Sequence, residues 1–165
     1  MINRMRRAFE PGHSPKFLVI VDETEECGRA VRFAARRVLR TGARLIMLSV
    51  VDASDFQHWL GVGDLMKQEA NERAEALIDA YEQACKSLGD IACERVVRTG
   101  TKADEILKLI EEDEDIAYLT LASGTGSEGP GPLVSMIGGR ASQMFPVPVV
   151  IVPGSLSDAE IDALA

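Results

Sequence analysis

Short apolar runs along the chain predict five β-strands. The first run, KFLVIVD at 16–22, has consecutive aliphatic residues that do not alternate with polar ones. A strand of that pattern is typical of a parallel sheet whose two faces are both buried. The other four runs lie at about 44–51, 92–98, 116–122 and 147–152. Pro146 and Pro148 stand at the start of the last run, which indicates an edge strand, since proline cannot donate to a central ladder.

Helical spacing of apolar residues between these runs predicts the helices. The first, at about 25–40, has an apolar face formed by Cys27, Val31, Ala34 and Val38. Its opposite face carries a stripe of arginines, namely Arg29, Arg32, Arg36 and Arg40. We interpret the stripe as a solvated face, supported by Glu25 one turn before Arg29; contact with an acidic partner is the alternative. Gly42 is expected to end this helix as a left-handed cap.

Helical spacing and capping signals predict the other helices. A long helix is predicted at about 64–88 and a short one within 132–145. A further helix follows Thr101, which begins a T-x-x-D capping pattern. The tail has the capping box S-x-x-E at Ser157 and Glu160 and is predicted to form a short helix.

Strands and helices alternate along the chain, which predicts an α/β fold. We expect a single five-stranded parallel sheet in the order 3-2-1-4-5, with helices on both faces, as in Rossmann-like proteins. The strand order then reverses between the first and fourth strands. Ligands of such sheets bind at the carboxyl ends of the strands beside the reversal. The turn at 22–26 and the glycine-rich loop at 123–140 are therefore the expected binding segments.

Composition and charge exclude several classes of protein. The 165 residues suit one domain, and the formal net charge of −8 argues against nucleic acid as a partner, since its binding needs clustered Lys and Arg. No apolar run is long enough for a membrane helix. Residues 1–15 are basic with no apolar segment behind them, so we expect a flexible N-terminal arm and not a secretory signal. Three cysteines without a CxxC spacing indicate reduced thiols and a cytoplasmic location.

The glycine-rich loop has the spacing G-x2-G-x9-G at Gly126, Gly129 and Gly139. With KFLVIVDETEE, RLIMLSVVD and TGTKADEILKLIEEDEDIAYLTLAS around it, the chain resembles the ATP-binding universal stress proteins. The resemblance covers about 16–153, which we take as the domain, and leaves 154–165 as a helical tail. It implies an adenine-nucleotide α-hydrolase-like fold and a role in the stress response.

The resemblance also implies roles for single residues. Asp22 matches the aspartate that serves the adenosine end of ATP, where it would hold the ribose, and a Mg²⁺ ion bound with ATP could use it. Val51 lies near the stretch that faces the adenine. The three glycines are the candidates for binding phosphates through backbone N–H groups. Ser135 or Arg140 would complete the phosphate site.

A second register of the same motif competes with the first. Anchored on the fourth and fifth strands without gaps, the motif positions fall on Ala122, Thr125 and Ser135, none of which is glycine. We prefer this register, because the glycine register needs a longer loop and a following helix that is shorter by about one turn. Pro130 and Pro132 also remove two N–H donors from the loop.

Two functions from different classes stay open. The first is a cytoplasmic, homodimeric stress protein that binds ATP or a related adenine nucleotide. The second is a nucleotide-free homologue that acts as a dimeric interaction module, in which Arg140 pairs with an acid such as Glu128 and closes the pocket. A different small ligand and slow nucleotide hydrolysis are weaker alternatives. In the two leading hypotheses the dimer pairs through the last strand, 147–152, because an apolar edge needs cover.

The sequence contains no catalytic motif. It has no lysine phosphate loop, no zinc-binding pattern and no nucleophile turn. His58, beside Trp59, lacks the acid or cysteine partner that catalysis or a metal site needs. We therefore expect binding and not turnover.

Overall fold

The computed structural model describes residues 5–56, 63–139 and 145–165. Its sheet has five strands, which are β1 Lys16–Ile20, β2 Arg44–Asp52, β3 Cys93–Gly100, β4 Ile116–Ser123 and β5 Val149–Pro153. They lie in the order β3-β2-β1-β4-β5, and every neighbouring pair is parallel. The predicted strand order and fold class are thus confirmed. β5 begins after the two prolines and forms an edge, in agreement with the sequence pattern.

The α-helices of these described ranges are α1 Cys27–Thr41, α2 Gly63–Lys86, α3 Lys102–Glu112, α4 Pro132–Ile137 and α5 Asp158–Leu164. Gly42 ends α1 with a left-handed φ of +73°, and its amide donates to the Val38 carbonyl at 2.9 Å. The capping box of Ser157 and Glu160 is present at the start of α5 with both of its hydrogen bonds. Thr101 is the N-cap of α3, but its side chain makes no capping hydrogen bond.

The helix predicted within 132–145 is short. α4 has six residues, and Gly138 and Gly139 form a turn directly after it. Residues 140–144, which include Arg140, lie outside the described ranges. His58 and Trp59 fall in the other undescribed internal range, 57–62. None of the helices in the described parts of the chain is long and apolar enough to cross a bilayer.

Two apolar clusters fill the two faces of the sheet. Alternate residues of β1 belong to opposite clusters: Val19 is buried on the side of α1 and α2, whereas Leu18 and Ile20 are buried on the side of α3. This arrangement explains why the strands read as unbroken apolar runs, since both faces are covered by helices. The same covering leaves only the ends of the strands open to a ligand.

The arginine stripe of α1 binds the C-terminal helix. Arg32 and Arg36 both donate to the Asp162 carboxylate, at 2.7–2.8 Å and 2.9–3.1 Å respectively. Arg29 pairs with Asp158 at 2.5 Å, and Arg40 donates to the Asp162 carbonyl at 2.8 Å. The interpretation as a solvated face is therefore wrong. Helical periodicity shows that the arginines share a face, but it does not show that α5 of the same chain is the acidic partner.

The described part of the N-terminal segment is attached to the domain. Arg6 donates to the carbonyls of Ile110 and Asp113 at 2.6 and 3.0 Å, and His13 Nδ1 lies 2.6 Å from the Asp115 carboxylate. Ala8 is buried between these contacts. Residues 5–15 thus pack on the turn between α3 and β4 and do not form a free arm, because the basic side chains find acids and helix carbonyls there.

Candidate functional site

A cavity of about 450 Å³ opens where the strand order reverses. It lies between the turn after β1 and the loop after β4. Its lining includes Asp22, Thr24, Glu26, Ala122 and the segment 130–134. Ligand pockets in proteins commonly measure about 300–1,000 Å³. The cavity therefore has the size and the position of a binding site in an open α/β sheet.

A second cavity of about 280 Å³ lies beside it, between the end of β2 and α2. Val51, Ala74 and Leu77 form its apolar wall, and Arg73 adds a positive charge. Three residues line both cavities: Asp22, Asp52 and Lys102. The two spaces therefore meet at a charged ridge, and together they form a cleft along the carboxyl edge of the sheet.

Asp22 is held at that ridge by a tight turn. Its Oδ1 accepts hydrogen bonds from the amide and the hydroxyl of Thr24, and its Oδ2 lies 3.5 Å from the Lys102 ammonium. The Asp22 amide donates to Cys27 Sγ at 3.4 Å. Burial raises the pKa of Cys27 to about 11, so the neutral thiol supports the turn and is a poor nucleophile at neutral pH.

Asp52 is the second carboxylate of the ridge. The Ser54 amide donates to its Oδ1 at 2.9 Å, and this hydrogen bond is the main reason that the pKa of Asp52 lies below its ordinary value. Asp52 is therefore ionised at neutral pH. Its position follows from the sequence, because it is the last residue of β2 and the carboxyl ends of parallel strands meet at one edge.

Glu26 closes the larger cavity on the side of the glycine-rich loop. A Cβ added to Gly124 would lie 3.2 Å from Glu26 Oε1, and one added to Gly154 would lie 2.9 Å from Glu26 Cβ and 2.5 Å from the Ser123 carbonyl. Both glycines are therefore needed for close approach to Glu26 and to backbone. The G-x2-G-x9-G motif contains neither Gly124 nor Gly154.

The loop after β4 is folded on itself. The Gly124 amide donates to the Pro130 carbonyl at 3.0 Å, and the Gly129 amide donates to the Gly126 carbonyl at 3.1 Å. Gly129 and Gly131 have φ of +89° and +105°, which residues with a Cβ rarely adopt. The glycines of this loop thus serve its own conformation.

The cleft brings together only some of the residues predicted from the sequence. Asp22 lines both cavities, and Val51 is buried in the wall of the smaller one. Of the second register, Ala122 lines the larger cavity. The described candidates that line neither cavity are Thr125, Gly126, Gly129, Ser135 and Gly139. The Gly139 amide donates to the Met136 carbonyl at 3.1 Å, and Arg140 lies outside the described residues.

Lys102 is the residue that sequence reasoning missed. It is the first residue of α3, directly after the turn that ends β3, and its ammonium reaches the ridge between the cavities. The rule that ligands bind at strand ends applies to β3 as well as to β1 and β4, and it would have found this lysine.

Carboxylates outnumber cations around the cleft. Asp22, Glu23, Glu26 and Asp52 line one or both cavities, against Lys102 and Arg73. Within residues 5–56, 63–139 and 145–165, no group of three or more His, Cys, Asp and Glu side chains is placed to hold a metal ion. The site is thus a partly apolar cleft with an acidic rim and a lysine at its centre.

Most of the sequence matches a model of a known protein family. A model of the universal stress protein family matches residues 14–153. The chain belongs to the universal stress protein family. No curated protein matches the sequence.

Solved universal stress protein structures share the fold. The universal stress protein UspA from Lactobacillus plantarum is 21% identical, with a TM-score of 0.69 over 84% of this chain and 97% of its own. A family member from Arabidopsis thaliana, described with AMP bound, is 18% identical, with a TM-score of 0.59 over 84% and 91% of the two chains. A universal stress protein in complex with cAMP is 17% identical, with a TM-score of 0.61 over 86% and 98%. At these identities the likeness shows the fold alone.

Proposed function

We propose that this universal stress protein binds an adenine nucleotide in the cleft at the sheet reversal. The observation that carries the proposal is the position of Asp22, which lines both cavities and so lies where the two parts of the cleft meet. A nucleotide has the matching order of a flat base, a ribose with two hydroxyls and a phosphate. Two solved family members of the same fold are described with AMP and with cAMP, which supports this ligand class.

The base would occupy the smaller cavity. Val51 and Leu77 provide an apolar wall there, and Arg73 lines the same space. Asp22 would accept hydrogen bonds from the ribose hydroxyls, because each carboxylate oxygen can accept more than one hydrogen bond and Oδ2 can therefore bind a hydroxyl as well as the Lys102 ammonium 3.5 Å away. The phosphate would then extend into the larger cavity beside Lys102 and the segment 130–134.

The phosphate role of the glycine motif stays a prediction. Gly126, Gly129, Ser135 and Gly139 reach a bound phosphate only if the loop rearranges, since the Gly129 and Gly139 amides already donate within the chain. Arg140 keeps its predicted role in completing the phosphate site. ATP with Mg²⁺ is the nucleotide that the family resemblance implies, and the metal would offset part of the acidic rim.

We also propose a cytoplasmic homodimer that pairs through β5. The strand is an edge of the sheet, and Ile151 on it is 39% exposed although it is a large apolar side chain. An unpaired apolar edge favours association with a second strand. Pairing two copies through β5 would cover this edge and leave both clefts open.

A nucleotide-free interaction module is the second candidate. The observation that favours it is the pair of Lys102 and Asp22, which joins the two sides of the ridge directly. The internal hydrogen bonds of the loop after β4 also favour this candidate, because they already use amides that a phosphate would need. In this case the cleft is closed by its own charges and the dimer surface carries the function.

Thermal unfolding with added nucleotides separates the two candidates. AMP, cAMP, ADP and ATP, each at millimolar concentration with and without Mg²⁺, are added to the purified protein, with GMP as the control base. A ligand present at a thousandfold excess over its Kd stabilises the folded state by about 4 kcal/mol, which raises Tm by several degrees. A shift with adenine nucleotides and none with GMP supports the proposal. No shift with any of them, and no nucleotide released on denaturing the protein, leaves the interaction module.

A further inference from the structure

Glu26 brings a negative charge to the loop end of the larger cavity. It is the N-cap of α1, but its side chain makes no capping hydrogen bond. Its carboxylate lies beside Gly124, at the end of β4, and lines the cavity. Among the described residues, no lysine, arginine or histidine forms an ion pair with it. The carboxylate therefore acts on whatever occupies that end of the cleft.

Among the described residues, the same end of the cleft offers few donors for phosphate oxygens. Pro130 and Pro132 have no N–H group, and the Gly124 amide donates to the Pro130 carbonyl. Among the described residues that line the larger cavity, the cation is Lys102, which lies 3.5 Å from the Asp22 carboxylate. A first phosphate next to the ribose can reach this lysine. Glu26, Pro130 and Pro132 line the rest of the same cavity, so we expect further phosphates to extend toward them.

We propose that the cleft selects adenine nucleotides with one phosphate over ATP, and that Glu26 sets this preference. The inference rests on the proposed nucleotide function and names the ligand class within it. Charges of like sign a few ångströms apart in a partly buried site repel by enough to change affinity tenfold or more. Because each added phosphate brings more negative charge toward Glu26, the penalty grows from AMP to ADP to ATP.

Calorimetric titration of the full-length protein with AMP, ADP and ATP tests the proposal. The titrations are done in EDTA and repeated in 5 mM MgCl₂, with wild type, Glu26→Gln and the control Glu25→Gln. Gln has the shape of Glu without its charge, and Glu25 is exposed and does not line the larger cavity. We expect wild type to bind AMP at least about tenfold more tightly than ATP in both buffers. Glu26→Gln should lower the ratio of the ATP to the AMP dissociation constant by about tenfold, and Glu25→Gln should leave that ratio within twofold.

Salt provides a second readout that a purely structural role of Glu26 does not move. Raising NaCl to 0.5 M shortens the screening length, so the wild-type ratio should shrink while the Glu26→Gln ratio changes little. If Glu26→Gln does not fold, as judged by its circular dichroism melt, Glu26→Ser replaces it. ATP binding as tight as AMP in either buffer, or a ratio that Glu26→Gln does not change, overturns the inference and leaves the nucleotide function standing. If no nucleotide binds, both proposals fail.

Discussion

The ammonium of Lys102 lies 3.5 Å from the Asp22 carboxylate, at the point where the two cavities of the cleft meet. The pair joins the end of β1 to the start of α3 across the end of the sheet. In the proposed function, a nucleotide lying across the ridge would replace this contact by two others, a phosphate on the lysine and a ribose on the aspartate. The pair is thus the expected centre of the proposed ligand site.

Replacing Lys102 by methionine should weaken nucleotide binding. The side chain keeps most of its length but loses the charge, and hydrogen bonds to charged groups contribute about 1.5–3 kcal/mol. We expect the Kd for AMP to rise by about tenfold or more in titration calorimetry. Lys86→Met is the control, since Lys86 lies at the other end of the sheet, on the last turn of α2, where it pairs with Glu82. A Kd within twofold of wild type for Lys102→Met would remove the lysine from the site.

Alanine substitutions should sort the glycines by their structural roles. In Gly154→Ala the new Cβ would lie 2.5 Å from the Ser123 carbonyl, so backbone must shift, and we expect a loss of about 1–3 kcal/mol in the free energy of unfolding. Gly126→Ala meets nothing within 4 Å, so its free energy of unfolding should change by less than about 1 kcal/mol. Urea titration of both variants checks this order. Equal effects would show that the packing around Glu26 does not depend on Gly154.

Gly126→Ala also tests the glycine motif. Gly126 does not line the cleft, so the variant should bind AMP with the wild-type Kd. If the loop rearranges and the Gly126 backbone meets the phosphates, the added methyl group should weaken binding instead. Titration calorimetry on the same samples distinguishes the two outcomes.

Asp162→Asn should destabilise the protein in a pH-dependent way. Hydrogen bonds from Arg32 and Arg36 hold the pKa of Asp162 well below its ordinary value. A lowered pKa in the folded state adds stability that is present above the unfolded pKa, about 3.9, and is lost as pH falls through the folded pKa. The gap in unfolding free energy between wild type and variant should therefore be constant from pH 7 to 5 and shrink below pH 4.

Urea titrations at pH 7, 5 and 3.5 measure that gap. Asp90→Asn is the matched control, because Asp90 is exposed and none of its contacts within the described ranges is an ion pair. A gap that stays constant down to pH 3.5 would mean that the two arginines do not hold Asp162 ionised.

Ile151→Lys should convert the proposed dimer into a monomer. The substitution puts a charge on the edge strand β5, and charged side chains on an edge oppose strand pairing. Light scattering coupled to gel filtration should give the mass of two chains for wild type and of one chain for the variant. Leu164→Lys, at another exposed apolar residue, should leave the dimer intact. A monomeric wild type at high concentration would contradict the proposed dimer.

The three thiols should react slowly in the native protein. Burial raises the pKa of Cys27 and Cys93 to about 11 and that of Cys85 to about 12. Since only the thiolate attacks a disulfide reagent, little of it is available at pH 8. Ellman's reagent should titrate all three cysteines rapidly in 6 M guanidinium and only slowly without it. A fast-reacting native thiol would show that its surroundings open.

The fold followed from the sequence because its signals are local. Apolar runs such as 16–22 identify strands buried on both faces, and the alternation with helices fixes the parallel order. The arginine stripe was misinterpreted because periodicity identifies a face but not its neighbour, which here is Asp162, more than a hundred positions away. Long-range pairs of this kind leave no local trace.

The candidate site was only partly predictable for a related reason. Asp22 and Val51 could be placed because they stand at or beside the ends of predicted strands. The role of the glycine motif could not be predicted, because a glycine can be required for several reasons. Gly131 is required for its left-handed φ, whereas Gly124 allows the chain to approach Glu26 closely. Counting glycines does not separate these needs from phosphate binding.

The bond from the Gly124 amide to the Pro130 carbonyl has a consequence for the speed of ligand exchange. Since this bond and two proline rings fix the wall of the larger cavity in advance, a visiting molecule orders little chain when it enters, and entry loses little conformational entropy. The association rate constant should then be limited by diffusion and charge. Differences in affinity among ligands should therefore come from their dissociation rate constants.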